Sequence, residues 1–271
     1  MQRFRNFVAL FAAGILTAAL AAFAGHRSGT SIQQVCCPVL ELRQYTLKPG
    51  QRDAFIALFD RHFVESQEAV GMTIVGQFRD RRRSDRFVWI RGFSDMQSRH
   101  TALERFYGGL VWAEHKTTAN STMLDVDDVR LLKPAQSDSA LRLSVTDRPA
   151  VGEDRAAAIV VVGIHRLRQA ADATVVSRFG ERAIPLLRHE GVQVESVFVT
   201  ESSPNTFTRL PVREGEHLLV WFGTLKRESV PVTQRLQEAS AALSSVADAP
   251  LEILELDPTP RSLFGHHPAA P

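Results

Sequence analysis

From residue 39 onward, apolar and polar positions follow two rhythms. In VLELRQYTL (39–47) the period is two, with Leu40 and Leu42 on one face and Glu41, Arg43 and Tyr45 on the other. That alternation predicts a strand, ended by the turn residues Lys48-Pro49-Gly50. Phe55, Leu58, Phe59, His62 and Phe63 then recur at i, i+3, i+4, i+7 and i+8, the stripe of an amphipathic helix that Gly71 stops. MTIVGQF (72–78) and RFVWIRGF (86–93) predict a β-hairpin. Ser94 with Gln97 three residues later has the form of a capping box, opening a helix that runs to Tyr107 and stops at Gly108-Gly109. A short helix over Leu110 to Ser121 and a strand in MLDVDDVRLL (123–132) complete the order β-α-β-β-α-β, the ferredoxin-like unit.

The order returns further along the chain. Ile159 to Leu167 predicts a strand, Asp172 to His189 a helix stopped by Gly191, and Val192 to Thr200 with His217 to Thr224 a hairpin. Val230 to Val246 predicts a helix and Leu251 to Asp257 a last strand. At an offset of 120, Val39 meets Ile159, Phe59 meets Phe179, Gly71 meets Gly191 and Phe78 meets Phe198. Trp89 meets Trp221 at an offset of 132, so the second hairpin loop is longer by twelve residues. The pattern is a duplication of a unit of about a hundred residues. The boundaries are a leader over 1–24, a polar tether over 25–37, units over 38–135 and 156–260 with a linker over 136–155, and a flexible tail over 261–271.

Two helices per unit cover only one face of a four-stranded sheet. In the second unit both faces of the first strand are apolar, Ile159 and Val161 against Val160, Val162 and Ile164. Leaving one of them in water is costly. The expected fold is therefore α+β, with tandem ferredoxin-like units packed sheet to sheet as a pseudo-dimeric α+β barrel, helices outside. Glu41, Arg43 and Tyr45 are then expected to border an enclosed space between the sheets.

Arg3 and Arg5 precede an uncharged run from Phe7 to Gly25 that ends in Ala22-Phe23-Ala24. This is the form of a cleaved export signal, with cleavage after Ala24. Uncleaved, the nineteen residues would span roughly 28 Å as a helix and could anchor the chain in a membrane. The expected location is periplasmic or secreted, with membrane attachment only if the leader is retained. Cys36 and Cys37 are adjacent, and neighbours rarely reach disulfide geometry, so free or intermolecularly bonded thiols are expected. The net charge of +2 is well mixed, and the basic stretch Arg79 to Arg86 is interrupted by Asp80 and Asp85. It reads as a solvated hairpin tip, so no nucleic-acid partner is expected.

ELRQYTLKPG, VGMTIVGQFRD, DRFVWIRGF, FYGGLVWAEHKTTANSTM and DDVRLLKP together resemble the NIPSNAP family in its bacterial form. The resemblance covers about residues 38 to 135, and 156 to 262 more loosely. It implies the dimeric α+β-barrel superfamily, whose members include cofactor-independent monooxygenases, haem-binding enzymes and proteins without a known reaction. NIPSNAP proteins of eukaryotes are associated with membrane, vesicle and organelle-quality-control roles. The family brings no agreed catalytic residues, and the export-like leader departs from its usual pattern.

The candidate chemistry lies in the first unit. His115 is the candidate general base or hydrogen-bond donor at the barrel mouth, on a helix face with Trp112, and Asn120, slightly off that face, would hold a substrate oxygen. Its competing role is to bond a neighbouring carbonyl while Trp112 fills the core and Asn120 caps the helix. Tyr45 is the candidate donor and second catalytic residue, Arg43 an anchor for an anionic or carbonyl group, and Glu41 a partner for Arg43. Gln77 or Arg79 would add a second polar wall, and Trp89 either fills the core or stacks on a ligand. No dinucleotide fingerprint, P-loop, nucleophile elbow or H-E-x-x-H motif is present. No metal site is expected, and no cofactor, with haem on His115 or His189 as the remote exception. The expected activity is binding of a small apolar or aromatic molecule that carries a carboxylate or carbonyl. The alternatives are a cofactor-independent monooxygenase or isomerase, and a membrane-associated scaffold. A homodimer is compatible with each.

Overall fold

A computed structural model describes residues 33–144, 148–153, 157–225, 236 and 240–266. The expected leader and most of the helix expected over 230–246 lie outside the described residues. The elements run β1 (Gln33–Cys36), β2 (Val39–Leu47), α1 (Arg52–Leu58), a π-helical turn (Phe59–Phe63), α2 (Val64–Glu68), β3 (Thr73–Asp80) and β4 (Arg86–Phe93). Then come α3 (Met96–Tyr107), α4 (Leu110–Thr122), β5 (Met123–Pro134), β6 (Leu141–Ser144) and β7 (Ile159–Leu167). The chain continues through α5 (Ala173–Arg178), a second π-helical turn (Phe179–Ala183), α6 (Ile184–His189), β8 (Val192–Thr200), β9 (His217–Leu225) and β10 (Glu252–Pro258). The two π-turns fall at the same place in the two halves, as do the β-bulges at Ile74/Gly76 and Val194/Ser196.

Each half has the ferredoxin-like strand order, β3-β4-β2-β5 and β8-β9-β7-β10, and the two sheets join into one closed eight-stranded barrel. The seams are β5 against β8 and β10 against β3, each three residues long. Closure gives each of the eight barrel strands a neighbour on both sides. The tandem units thus form the pseudo-dimeric α+β barrel that the alternating pattern requires.

Among the described residues, three apolar clusters divide the interior. One draws residues from all eight barrel strands, among them Leu40, Leu42, Phe78, Ile90, Leu132, Val162, Phe198, Phe222 and Leu254, and so fills the barrel itself. The second joins the outer face of the first sheet, with Tyr45, Phe87 and Trp89, to the helical Phe55, Phe59, Phe63, Leu103 and Phe106. The third does the same for the second half around Trp221 and Phe179. The expected chamber between the sheets is corrected by this partition. Leu40 and Leu42 face the barrel, aliphatic side chains occupy it, and Glu41, Arg43 and Tyr45 face the helices. The reason is packing: a guanidinium group finds aromatic faces under the helices, and the aliphatic barrel interior offers it none.

The ends of the barrel differ. At one, Gln44 bonds Arg86 (2.6 Å) and Glu252 (3.1 Å), and Arg130 pairs with Asp128 (2.8 Å), Glu252 (3.1 Å) and Glu216 (3.5 Å). Acidic and basic groups interleave there, so the network closes that end without a large charge excess. At the other, β1 and β6 pair with each other and bring Cys36, Cys37, Leu141 and Leu143 into the barrel cluster. The expected tether and linker therefore each contribute a strand. Cys36 and Cys37 are placed as a disulfide with each other, where free or intermolecularly bonded thiols were expected. Both are buried against Gly92, where any Cβ would collide with Cys37 Sγ, so a glycine leaves the room they occupy.

The segment expected to begin a flexible tail is also packed. Arg261, Ser262 and Phe264 are buried, and Arg261 bonds the Asp60 carbonyl (2.7 Å) and Glu65. Helix α3 starts one residue later than the capping box implies: Asp95 accepts from the Ser98 amide (2.6 Å), and Ser94 Oγ bonds Ser98 Oγ (2.8 Å).

His165, the counterpart of Tyr45, is buried edge-on against Phe179 with Nε2 unpartnered. Burial alone pushes its imidazole down from 6.5 to about 4. Above pH 6.5 the ring is neutral folded or unfolded, and no penalty arises. As the pH falls to about 4, only the unfolded chain takes up the proton, so stability is lost across that window, by roughly 3 kcal/mol in all. His165→Phe is expected to remove this loss. Urea midpoints of the two proteins should diverge between pH 6.5 and 4. Parallel curves would place the ring in water.

Candidate functional site

The polar residues of β2 meet their partners because antiparallel register puts Glu41 opposite Arg91 and Arg43 opposite Trp89. The stripe of α3 that packs on this face is Arg99, Ala102, Leu103 and Phe106, so a third guanidinium is held over the same spot. Glu41 Oε2 accepts from Arg43 Nη1 (2.8 Å) and Arg91 Nε (2.7 Å), and Oε1 accepts from Arg99 Nε (2.6 Å). All four side chains are 0% exposed.

Neutral groups complete part of the shell. Arg43 Nε donates to Tyr45 Oη (3.0 Å), Arg91 Nη1 to Gln67 Oε1 (2.9 Å) and Arg99 Nη1 to Asn205 Oδ1 (3.0 Å). The Trp89 ring carries Arg91 at 4.9 Å and Arg43 at 5.4 Å, which recovers part of their desolvation cost. One nitrogen on each arginine is left over. Arg43 Nη2, Arg91 Nη2 and Arg99 Nη2 are buried without a hydrogen-bond partner. Burial alone would raise the Glu41 carboxyl, but the charges of Arg91, Arg43 and Arg99 hold it far below the usual carboxylate range. Burial raises the Tyr45 phenol, so it stays protonated and its O–H remains free to donate.

A loop from the other half covers this cluster. The residues between β8 and β9 reach across α3: Asn205 meets Arg99, the Thr206 carbonyl meets His100 Nδ1 (3.0 Å), and Phe207 stacks on Tyr107 with centroids 5.8 Å apart. Phe207 is a buried member of the first half's core. The twelve extra residues of the second hairpin are thus the cover of the first half's site.

Among its described residues the second half has no such cluster. At the positions equivalent to Glu41, Arg43, Tyr45 and Arg91 stand Val161, Gly163, His165 and Gly223. Gly163 lies opposite Trp221, whose ring occupies the place that a Cβ at 163 would need. Among the described residues, duplication has left one such polar cluster.

The other residues expected at the site are placed as follows. Gln77 is on the same sheet face beyond Trp89, buried with both amide atoms unpartnered. Arg79 is partly exposed and paired with Asp53 (2.9 Å), outside the cluster. Trp112 packs on Phe63, Phe106 and Tyr107, and Asn120 is exposed in the last turn of α4. His115 stacks on His62 with centroids 3.8 Å apart, while the Tyr45 ring packs on Phe55 and Trp89. The catalytic pair Tyr45–His115 is not assembled, because α4 turns its Trp112/His115 face to the π-turn and buries Ala119 and Thr122 instead. His189 is exposed on α6. Among the described residues no group of His, Cys, Asp and Glu is placed to hold a metal ion.

Arg91, Arg99, Gln67 and Asn205 were not expected at the site. Two of them carry a signal in the sequence. Arg91 shares the parity of Trp89, and Arg99 stands at a core position of the α3 stripe. Gln67 and Asn205 carry none, since only the tertiary fold brings them there.

The family model described as NIPSNAP matches residues 40–138. A comparison with curated proteins found no match. Among solved structures, an anthrone oxidase-like protein superposes over 86% of this chain and 96% of its own, with TM-score 0.52 and 13% identity. A candidate monooxygenase of Fusobacterium nucleatum does so over 86% and 98%, with TM-score 0.51 and 11% identity. An uncharacterised NIPSNAP domain protein of Burkholderia xenovorans matches 36% of this chain and 96% of its own, with TM-score 0.34 and 15% identity. At these identities the likeness is one of fold.

Proposed function

We propose, from the match of residues 40–138 to the family model described as NIPSNAP, that this region binds a small aromatic or apolar molecule by an anionic or carbonyl end. The binding place is the layer between the first sheet and its helices, at Arg43, Arg91 and Arg99. The observation that carries the reading is the charge imbalance there: three fully buried guanidinium groups share one carboxylate, and each keeps an unpartnered nitrogen. A buried donor without an acceptor costs about 1–3 kcal/mol, more when charged, so an arrangement with three of them is stabilised by a guest that accepts from them. Tyr45 packs on Trp89 and Tyr107 on Phe207, so room for the body of that guest has to open among these rings. The β8–β9 loop has to lift for it to exchange.

A thermal-shift series over benzoates, quinones and fatty acids tests the reading. At a hundredfold excess over Kd, a ligand of this site should raise Tm by about 5–10 °C. Arg43→Gln should abolish the shift. A stabiliser that acts equally on Arg43→Gln, or the absence of any stabiliser, contradicts the reading.

The enzymatic alternative requires Tyr45 and His115 together, and beyond that it rests on the names of fold neighbours. For location, the form of residues 1–24 favours export from the cytoplasm. Amino-terminal sequencing of the mature protein, expected to begin at Gly25, checks this.

A further inference from the structure

We propose that the head group held at the arginine site is a dianion of the phosphate monoester class, one per chain. The inference rests on the binding reading above and narrows it. Three cationic groups face one carboxylate, so the cluster carries two uncompensated positive charges when Glu41 is ionised. The remaining partners of these arginines, Tyr45, Gln67 and Asn205, are neutral. A monocarboxylate would leave one charge unmatched, whereas a dianion matches both.

The donor count agrees with the charge. Each unpartnered Nη2 has two N–H groups, and three separate nitrogens suit the three terminal oxygens of a phosphoryl group better than the two oxygens of a carboxylate. The three guanidinium groups are neighbours, since all of them bind the carboxylate of Glu41. The single copy follows from the second half, where Val161, Gly163 and Gly223 replace Glu41, Arg43 and Arg91.

Isothermal titration of the mature chain with phenyl phosphate, inorganic phosphate and benzoate, at about pH 7.5 and about pH 5, tests the proposal. One phenyl phosphate per chain is expected, at least tenfold tighter than benzoate at the higher pH and able to displace it. Near pH 5 the ester regains its second proton, whose pKa is about 6, and its affinity should fall about tenfold. The groups facing the site are Glu41, Tyr45 and Tyr107, with His100 on the outer side of α3 beside Glu104. Benzoate keeps its charge and reads out any contribution from His100, so its affinity should change by less than threefold. Inorganic phosphate binding as tightly as the ester would assign the site to the free ion, and weaker binding would assign it to the ester. Benzoate that binds as tightly as phenyl phosphate and competes with it overturns the dianion while leaving the binding reading intact. If neither anion binds, both fall together. Because displacement needs no variant, the test does not depend on an arginine substitution folding.

Discussion

Glu41→Gln is expected to cost about 3–5 kcal/mol of folding stability, the loss seen when one partner of a buried ion cluster is removed. The substitution keeps shape and one acceptor oxygen, so little of the loss is packing. What changes is that Arg43, Arg91 and Arg99, all fully buried, lose their only ion-pair partner among the described residues. Two guanidinium charges about 5 Å apart repel by about 3 kcal/mol at an effective dielectric constant near 20. The carboxyl is held far below its unfolded value, so its contribution is complete above about pH 4.5 and is lost only as the pH falls below that. Urea denaturation at neutral pH therefore reads the full effect. Arg99→Met makes the complementary measurement. It relieves repulsion while losing one pair and should cost less than Glu41→Gln. A larger loss for Arg99→Met would mean that the cluster has no excess of positive charge.

Trp221→Ala is expected to cost a similar amount, about 3–5 kcal/mol, by another mechanism. Trp221 is fully buried at the centre of the second half's core and lies over Gly163, which has no side chain to move into the space. The neighbouring strands are locked by ladders on both sides of β9, so collapse around the cavity is limited. Trp221→Phe should recover more than half of the loss. Both values come from equilibrium urea unfolding. A cost under 1 kcal/mol for Trp221→Ala would show that the second half does not rely on this ring.

The two tryptophans show how the halves diverged. Trp221 covers a glycine, whereas Trp89 covers an arginine, and the same barrel position is core in one half and charged in the other. The duplication, the strand order and the long second loop were legible in the sequence because each rests on periodicity and spacing. The side of the sheet that Arg43 faces was not. A period of two tells which residues share a face, but not whether that face looks at helices or at another sheet. The bulge at Ile74/Gly76 adds to this, since it lets Val75 and Phe78 both point into the barrel and turns Gln77 outward. Arg91 and Arg99 were visible as charged residues at core positions, and their meaning came only from Glu41 lying between them. The strand pair formed by 33–36 and 141–144 was hidden because each segment is short and polar at its margins and pairs only with the other.

The question that decides between a binding site and a structural ion cluster is where a guest sits. Crystals soaked with 4-bromobenzoate and with 4-bromophenyl phosphate locate it through the anomalous signal of bromine. The expected result is a bromine peak among the rings of Tyr45, Trp89, Tyr107 and Phe207, with the acidic end on the unpartnered nitrogens of Arg43, Arg91 and Arg99. A bromine peak inside the barrel, or saturated crystals with no peak in the layer between the first sheet and its helices, would contradict it.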